Sequence, residues 1–456
     1  MTLFNLLFTL FSLQLSLSSS ISVPSLHDGD HELSYLPRDT FSVSTVSQDL
    51  RHLISPHSAI FGPDDNRWEN ATERYTTSSV PDIQLVVRPA LEGDVPIIVK
   101  YCNAHTIPFL AVNRGHAVTS DVGRFRGIQI DLAALREYTI QPDEKSAWFQ
   151  GGSYGGSMIE SLWERGFVVT TGSCTCVGLL GPALGGGHGR LEGQYGLVSD
   201  NLLNLNVVLA NGSTIRVNAT SHPDLWWTCK APATTSESYI WRGEHLETVF
   251  TALNEFHGYG DGSLYGTTPV LMGNEFGEFL FDKSVGDDPL LSWTFAYAGP
   301  NTTAESLLAP FNAIPSISST AGDGTGLTSP ACALLNNNWA FSTVNLARYN
   351  VSAERAIYEH IWRNGARYMG IAIPPNATAE LANAAWAWVD ETRDLWNAGQ
   401  PGRVPSTYIN YAVGEESVEA VYGEEWRVDR LKELKERYDP LNRFRFYNPI
   451  IRCDLD

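Results

Sequence analysis

Between Gly172 and Gly189, seven of eighteen residues are glycine. The run reads Gly172-Ser173-Cys174-Thr175-Cys176-Val177-Gly178, then Gly181-Pro182-Ala183-Leu184-Gly185-Gly186-Gly187-His188-Gly189. Glycine is selected where a backbone must approach something closely or leave the usual φ range, so this stretch predicts a loop pressed against a ligand or another backbone. It is not a G-x-G-x-x-G turn between a strand and a helix, and no G-x-x-x-x-G-K-[ST] occurs, so neither a Rossmann site nor a P-loop is supported. No H-E-x-x-H is present, and no metal site is expected. A second loop, Val112-Asn113-Arg114-Gly115-His116-Ala117, directly follows a predicted strand. Gly115 there lets backbone N–H groups crowd around an anion.

The pattern around these loops alternates between strand and helix. Asp82 to Val87, Pro108 to Val112, Gly127 to Leu132 and Ala147 to Gln150 read as short strands; Asp94 to His105 and Met158 to Glu164 read as helices. Asn204 to Ala210 alternates, and Asn211-Gly212 predicts a tight hairpin into Ser213 to Val217. A second region carries an amphipathic helix over Glu244 to His257 and strands at Phe279 to Phe281 and Ser292 to Tyr297. Covering helices are expected at Asn301 to Phe311, Ala353 to Trp362, Ala377 to Asn397 and Ser417 to Asn442. The fold class is α+β. The expected divisions are residues 1–20, 50–230, 240–410 and 411–456.

Charge narrows the partners. The chain has 456 residues, 43% apolar, with 31 Lys plus Arg against 51 Asp plus Glu and a formal charge of −20. Nucleic acid and anionic membranes are disfavoured, because both are bound through Lys and Arg. Met1 to Ser20 is apolar, uncharged and ends in serines, as in a cleavable export signal. Sequons at Asn70, Asn211, Asn218, Asn301, Asn350 and Asn376 agree with a secreted glycoprotein. Six cysteines are too few for a disulfide scaffold in a chain of this length.

In this order the segments resemble secreted FAD-linked oxidoreductases of the berberine-bridge-enzyme-like group, within the vanillyl-alcohol-oxidase superfamily. The resemblance runs from Asp82 to Lys230 through Arg88-Pro89, Arg114 to His116, the G-x-C-x-x-V-G element, Gly185-Gly186-Gly187, Tyr195-Gly196-Leu197 and Pro223-Asp224-Leu225-Trp226. It resumes at Tyr408-Ile409-Asn410-Tyr411 and Tyr447-Asn448-Pro449. It implies a PCMH-type FAD-binding domain over 50–230, a substrate domain with a helix-covered antiparallel sheet over 240–410, and a C-terminal segment returning to the first domain. It also implies that Asn113, Arg114, Gly115, His116 and Ala117, with Gly178, Gly185, Gly186 and Gly187, hold FAD. His116 would be bonded to the flavin 8α position. Cys174 would be either a second flavin bond, a disulfide partner or a free thiol. His188 reads as structural. Tyr408, Asn410 and Tyr411 would line the substrate face, with a tyrosine taking a proton as hydride leaves for the flavin; plain sheet packing is the alternative.

The implied activity is oxidation of a bulky small molecule, in secondary metabolism, with dioxygen as the terminal acceptor. A carbohydrate oxidase and a non-redox binding protein of the same fold are the alternatives. Trp293, Phe295 and Tyr297 alternate and could stack on the flavin, or simply pack in a core. One segment departs from the resemblance. After Trp227 the G-x-N-F-G strand is missing, so either a piece of the chain is lost at Lys230 or the flavin site is pruned.

Overall fold

The computed structural model describes residues 2–3, 5–7, 41–189, 191, 195–227, 235–258, 272–280, 282, 284–297, 306–320, 338–339, 344, 346, 348–365, 372–373 and 377–451. Helix α1 (Val43–Leu53) opens the body, with Ser42 capping it by accepting from Thr45 N–H. Four strands follow: β1 (Ala59–Phe61), β2 (Asp82–Arg88), β3 (Phe109–Val112) and β4 (Arg126–Asp131). They form one sheet in the order β1-β2-β4-β3, with β2 and β3 both parallel to β4. Parallel strands are buried on both faces, and Leu85, Val86, Val87, Ile128 and Ile130 accordingly read as apolar runs with almost no exposure. Helix α2 (Asp94–Ala104) joins β2 to β3 and packs Ile98, Val99 and Cys102 onto that sheet.

A second sheet holds β5 (Tyr138–Ile140), β6 (Ser146–Phe149), β7 (Leu202–Val208) and β8 (Thr214–Val217), with helix α3 (Gly155–Trp163) against it. β7 and β8 form the expected hairpin, Val208 pairing Thr214, and Gly212 adopts φ +77° at its turn. β6 and β7 do not pair with each other. Asn5–Leu7 lies between them, parallel to both. The sequence reading gave this segment to an export signal; here its backbone satisfies two strand edges that would otherwise be unpaired.

Residues 228–234, where the resemblance lacks its strand, lie outside the described residues. The chain resumes at β9 (Thr235–Arg242), which pairs antiparallel with β11 (Leu290–Tyr297) and β12 (Ser318–Thr320); β10 (Met272–Leu280) pairs the other edge of β11. Helices α4 (Leu246–Phe256) and α5 (Val351–Gly365) cover this sheet, and α6 (Ala379–Ala398) packs on α5. Of the helix expected at Asn301 to Phe311, the described part is helical at 306–307 and at Ala309–Asn312; residues 301–305 lie outside.

The aromatic alternation on β11 resolves in favour of core packing. Trp293 meets Phe250 edge-on at 5.3 Å, and Phe295 lies 4.4 Å from Phe311, both under the helices. The opposite face of β11 carries Ser292 and Thr294, so Trp293 and Phe295 do not face the first domain's loops. Tyr297's side chain lies outside the described residues.

The last segment returns to the first domain. Val413 O accepts from Ser120 N–H, Arg443 donates to Ile107 O at 2.7 Å, and Phe444 and Phe446 meet Phe109 and Phe125 edge-on. Helix α7 (Glu425–Tyr438) is tied down by Arg437 and Tyr438, which both reach Asp224. Among the described residues no helix is long and apolar enough to cross a membrane.

Candidate flavin-binding site

The C-terminal end of β3 delivers Asn113 into a turn. Its Nδ2 donates to Gly151 O and Ser153 O, at 3.2 and 2.8 Å. Gly178 sits directly against that amide: a Cβ there would lie 2.7 Å from Asn113 Nδ2. Arg114 donates to Cys176 O at 3.1 Å and lies over the Tyr154 ring. Gly115 has φ +66°, and a Cβ would come within 2.7 Å of Glu73 O, so this position excludes any side chain. The turn thereby ties the first glycine loop to the second.

His116 follows in a mostly buried position beside half-buried Ala117. Its Nδ1 pairs with Arg114 O at 2.9 Å, which makes Nδ1 the protonated nitrogen, since a carbonyl only accepts. Nε2 is buried with no hydrogen-bond partner. Burial pushes the imidazole down to about 4, so the ring is neutral and nucleophilic over the physiological range. The Tyr75 ring stacks on it, with centroids 5.5 Å apart and planes 22° off parallel.

Cys174 is a half-buried free thiol, whereas Cys176 is disulfide-bonded to a residue outside the described set. Burial first, and the charge of Cys174 second, raise the Tyr75 phenol. The adjacent Ser173 hydroxyl reaches His188 O, which leads to the second half of the site.

There the glycine triplet packs against the C-terminal tyrosines. A Cβ on Gly185 would run into Asn410 and Ile409, and one on Gly187 would meet Val198 at 2.8 Å. Gly186 and Gly187 both adopt positive φ, +106° and +86°. The Gly187 N–H donates to Tyr408 Oη at 3.0 Å. Asn410 Nδ2 donates to the same oxygen at 2.6 Å and to Pro182 O at 3.0 Å. Tyr411 stands edge-on to Tyr408 at 5.1 Å and is 49% exposed. His188, read from the sequence as structural, lies edge-on to Tyr408 at 4.6 Å and so borders the site.

All the site residues read from the sequence thus fall into two connected groups, one around His116 and one around Tyr408. The sequence reading missed Tyr75, which stands upstream of the first matching strand and belongs to none of the quoted motifs. It also missed Ser153 and Thr170, whose hydroxyls are buried without partners. With Asn113 Oδ1 and His116 Nε2, the Ser153 hydroxyl makes three orphaned polar atoms at the first loop, since Ser153 O accepts from Asn113 Nδ2. Buried polar atoms are normally paired, so this set fits a polar cofactor lying against the loop. The glycines at 115, 178, 185 and 187 are themselves required by close packing against Glu73, Asn113, Asn410 and Val198. Two other cavities, of about 250 and 260 Å³, open in the second domain beside Arg355 and beside Asn254, away from these loops. Among the described residues no group of His, Cys, Asp or Glu could hold a metal.

Comparison with known proteins points to the same cofactor. The family model described as FAD binding domain matches residues 83–218, and that described as Berberine and berberine like matches 407–451. The FAD-linked oxidoreductase iacH of Pestalotiopsis fici is 44% identical over 91% of this chain and 92% of its own length. The FAD-linked oxidoreductase OXR2 of Pyricularia oryzae is 42% identical over 97% of each chain. That alignment runs to 516 positions, more than this chain's 456 residues, so the relative carries segments absent here. Among solved structures, a chitooligosaccharide oxidase covers 90% of this chain and 99% of its own with a TM-score of 0.70 at 17% identity. The Physcomitrella patens berberine-bridge-enzyme-like 1 protein covers 90% and 100% with a TM-score of 0.69 at 17% identity.

Proposed function

This chain belongs to the berberine-like FAD-linked oxidoreductases, and from that premise we propose that it is a secreted oxidase of a bulky small-molecule alcohol, with flavin held covalently through His116. The bound FAD supplies a two-electron acceptor for substrate hydride, with dioxygen as the final acceptor. The observation that carries the reading is the convergence of two donors, Gly187 N–H and Asn410 Nδ2, on Tyr408 Oη. Two donors on one oxygen favour negative charge there, which suits Tyr408 to take a substrate hydroxyl proton. Asn410 fixes the phenol's direction, and exposed Tyr411 lines the approach. The cofactor would lie against the loops that carry Asn113, Arg114, Gly115, Ala117 and the glycines at 178, 185, 186 and 187. The neutral His116 is the attachment residue; Cys174, a free thiol on the same side, is the candidate for a second bond.

Export is supported by the apolar segment Met1 to Ser20 and by the six sequons. A role in secondary metabolism is an extension from family style. A carbohydrate substrate is the second reading, favoured by the chitooligosaccharide oxidase and by a xylooligosaccharide oxidase of Myceliophthora thermophila among the structural neighbours. The experiment is a panel of phenolic, terpenoid and oligosaccharide alcohols with hydrogen peroxide as the readout. Tyr408→Phe should keep its flavin and lose on the order of 10²- to 10⁴-fold in turnover. Unchanged turnover in that variant would remove Tyr408 from the chemistry.

A further inference from the structure

The segment Glu73 to Tyr75 runs against the His116 turn and is itself clamped. Arg74 is buried, donating to Gln129 Oε1 at 2.5 Å and to Glu73 O at 2.8 Å; Gln129 in turn donates to Ala71 O from strand β4. Tyr75 N–H donates to Gly115 O at 3.0 Å. Its ring is therefore fixed at the backbone on one side and stacked on the imidazole on the other. The Arg114 carbonyl holds that imidazole by Nδ1, so ring plane and ring rotation are both constrained. Cys174 acts electrostatically on the same phenol. One tyrosine thus stacks on the candidate attachment side chain His116, and nothing in the proposed oxidation chemistry uses it.

We propose that Tyr75 is a positioning residue for flavin attachment: its ring is the platform that holds the His116 imidazole in the plane from which it bonds to the cofactor. This rests on the assignment of His116 above. The bond replaces one C–H of the flavin 8α-methyl with C–N. The imidazole gives up its N–H proton, and the two protons and two electrons released leave to dioxygen as hydrogen peroxide. A nucleophile misoriented about its ring reacts slowly even when the cofactor is bound, so the platform acts on attachment and not on FAD binding. The neutral state of His116 over the physiological range is what the reaction needs.

The test compares wild type, Tyr75→Phe and Tyr75→Leu, each produced with limited riboflavin and then supplied with FAD. Covalent flavin is followed by in-gel fluorescence after denaturation, and total bound flavin by absorbance. Tyr75→Phe keeps the ring and should attach at the wild-type rate. Tyr75→Leu keeps apolar bulk without a ring, and should attach about tenfold more slowly, the scale of a lost ring stack, with total bound FAD unchanged. Attachment by Tyr75→Leu at the wild-type rate would overturn the proposal, as would equal slowing by Leu and Phe. A wild type that binds FAD without ever attaching it would overturn the His116 assignment itself, and this inference with it.

Discussion

The first domain and the sheet domain are packed by different means, glycine loops in one and aromatic rings in the other. Around the His116 turn Asn113 Oδ1, His116 Nε2 and the Ser153 hydroxyl are buried without a partner, and Gly115 and Gly178 stand where a side chain would collide. Under the β9–β12 sheet, rings answer rings: Tyr239 lies flat on Trp241 at 5.0 Å and 5°, and its hydroxyl donates to Asn312 at 2.9 Å. The difference teaches where stability comes from. The rings of the sheet domain pack on one another, although Trp241 Nε1 is buried there without a partner, whereas the glycine loops hold distant segments of chain together, so FAD bound against those loops should stabilise the first domain the more.

Phe295→Ala gives the largest expected effect. Phe295 is fully buried among Tyr239, Phe256 and Phe311, so the change should cost about 3–5 kcal/mol in the sheet domain. Covalent flavin should be unaffected. Loss of flavin in this variant would mean the two regions are not energetically separate; denaturant unfolding with flavin fluorescence reads both.

Glu354 gives the next. It is buried on α5, accepts from Trp396 Nε1 at 3.2 Å, and burial pushes its carboxyl from 4.5 up to about 7. The folded state keeps this proton up to about pH 7, while the unfolded chain releases it near 4.5. Between those values the folded state binds more protons, so stability falls as pH rises and levels off above 7. The loss attributable to this group is about 3 kcal/mol. Glu354→Gln should remove that part of the slope, as urea midpoints from pH 4.5 to 8 would show. An unchanged slope would contradict the placement.

The smallest effect concerns Asn5–Leu7. Deleting residues 1–20 unpairs the facing edges of β6 and β7 and should cost about 1–3 kcal/mol. Equal melting temperatures for the full and shortened chains would show that the strand contributes nothing, and would leave the export reading of Met1 to Ser20 unopposed.

Legibility in the sequence follows the range of the interaction. The Asn211-Gly212 hairpin and helix α6 are set by neighbouring residues, and both stand where local pattern puts them. The direction of Trp293 and Phe295 depends on which face α4 covers, and alternation alone is blind to that. The glycine runs announced close approach, and the resemblance attached His116, Tyr408 and Asn410 to it. Tyr75 was invisible because its importance comes from a contact across forty residues of chain. The strand missing after Trp227 was legible as a departure, but the segment lying between β6 and β7 was not.

The central claim is that the His116 turn carries flavin covalently. The most direct measurement is acid precipitation of the protein produced with ample riboflavin, followed by peptide mass mapping of the pellet. The account predicts a yellow pellet with flavin on the peptide containing His116. His116→Ala should release it, or, if Cys174 also bonds, the His116→Ala, Cys174→Ala double variant should. A colourless pellet with all flavin in the supernatant, or a flavin that survives the double variant, would contradict it.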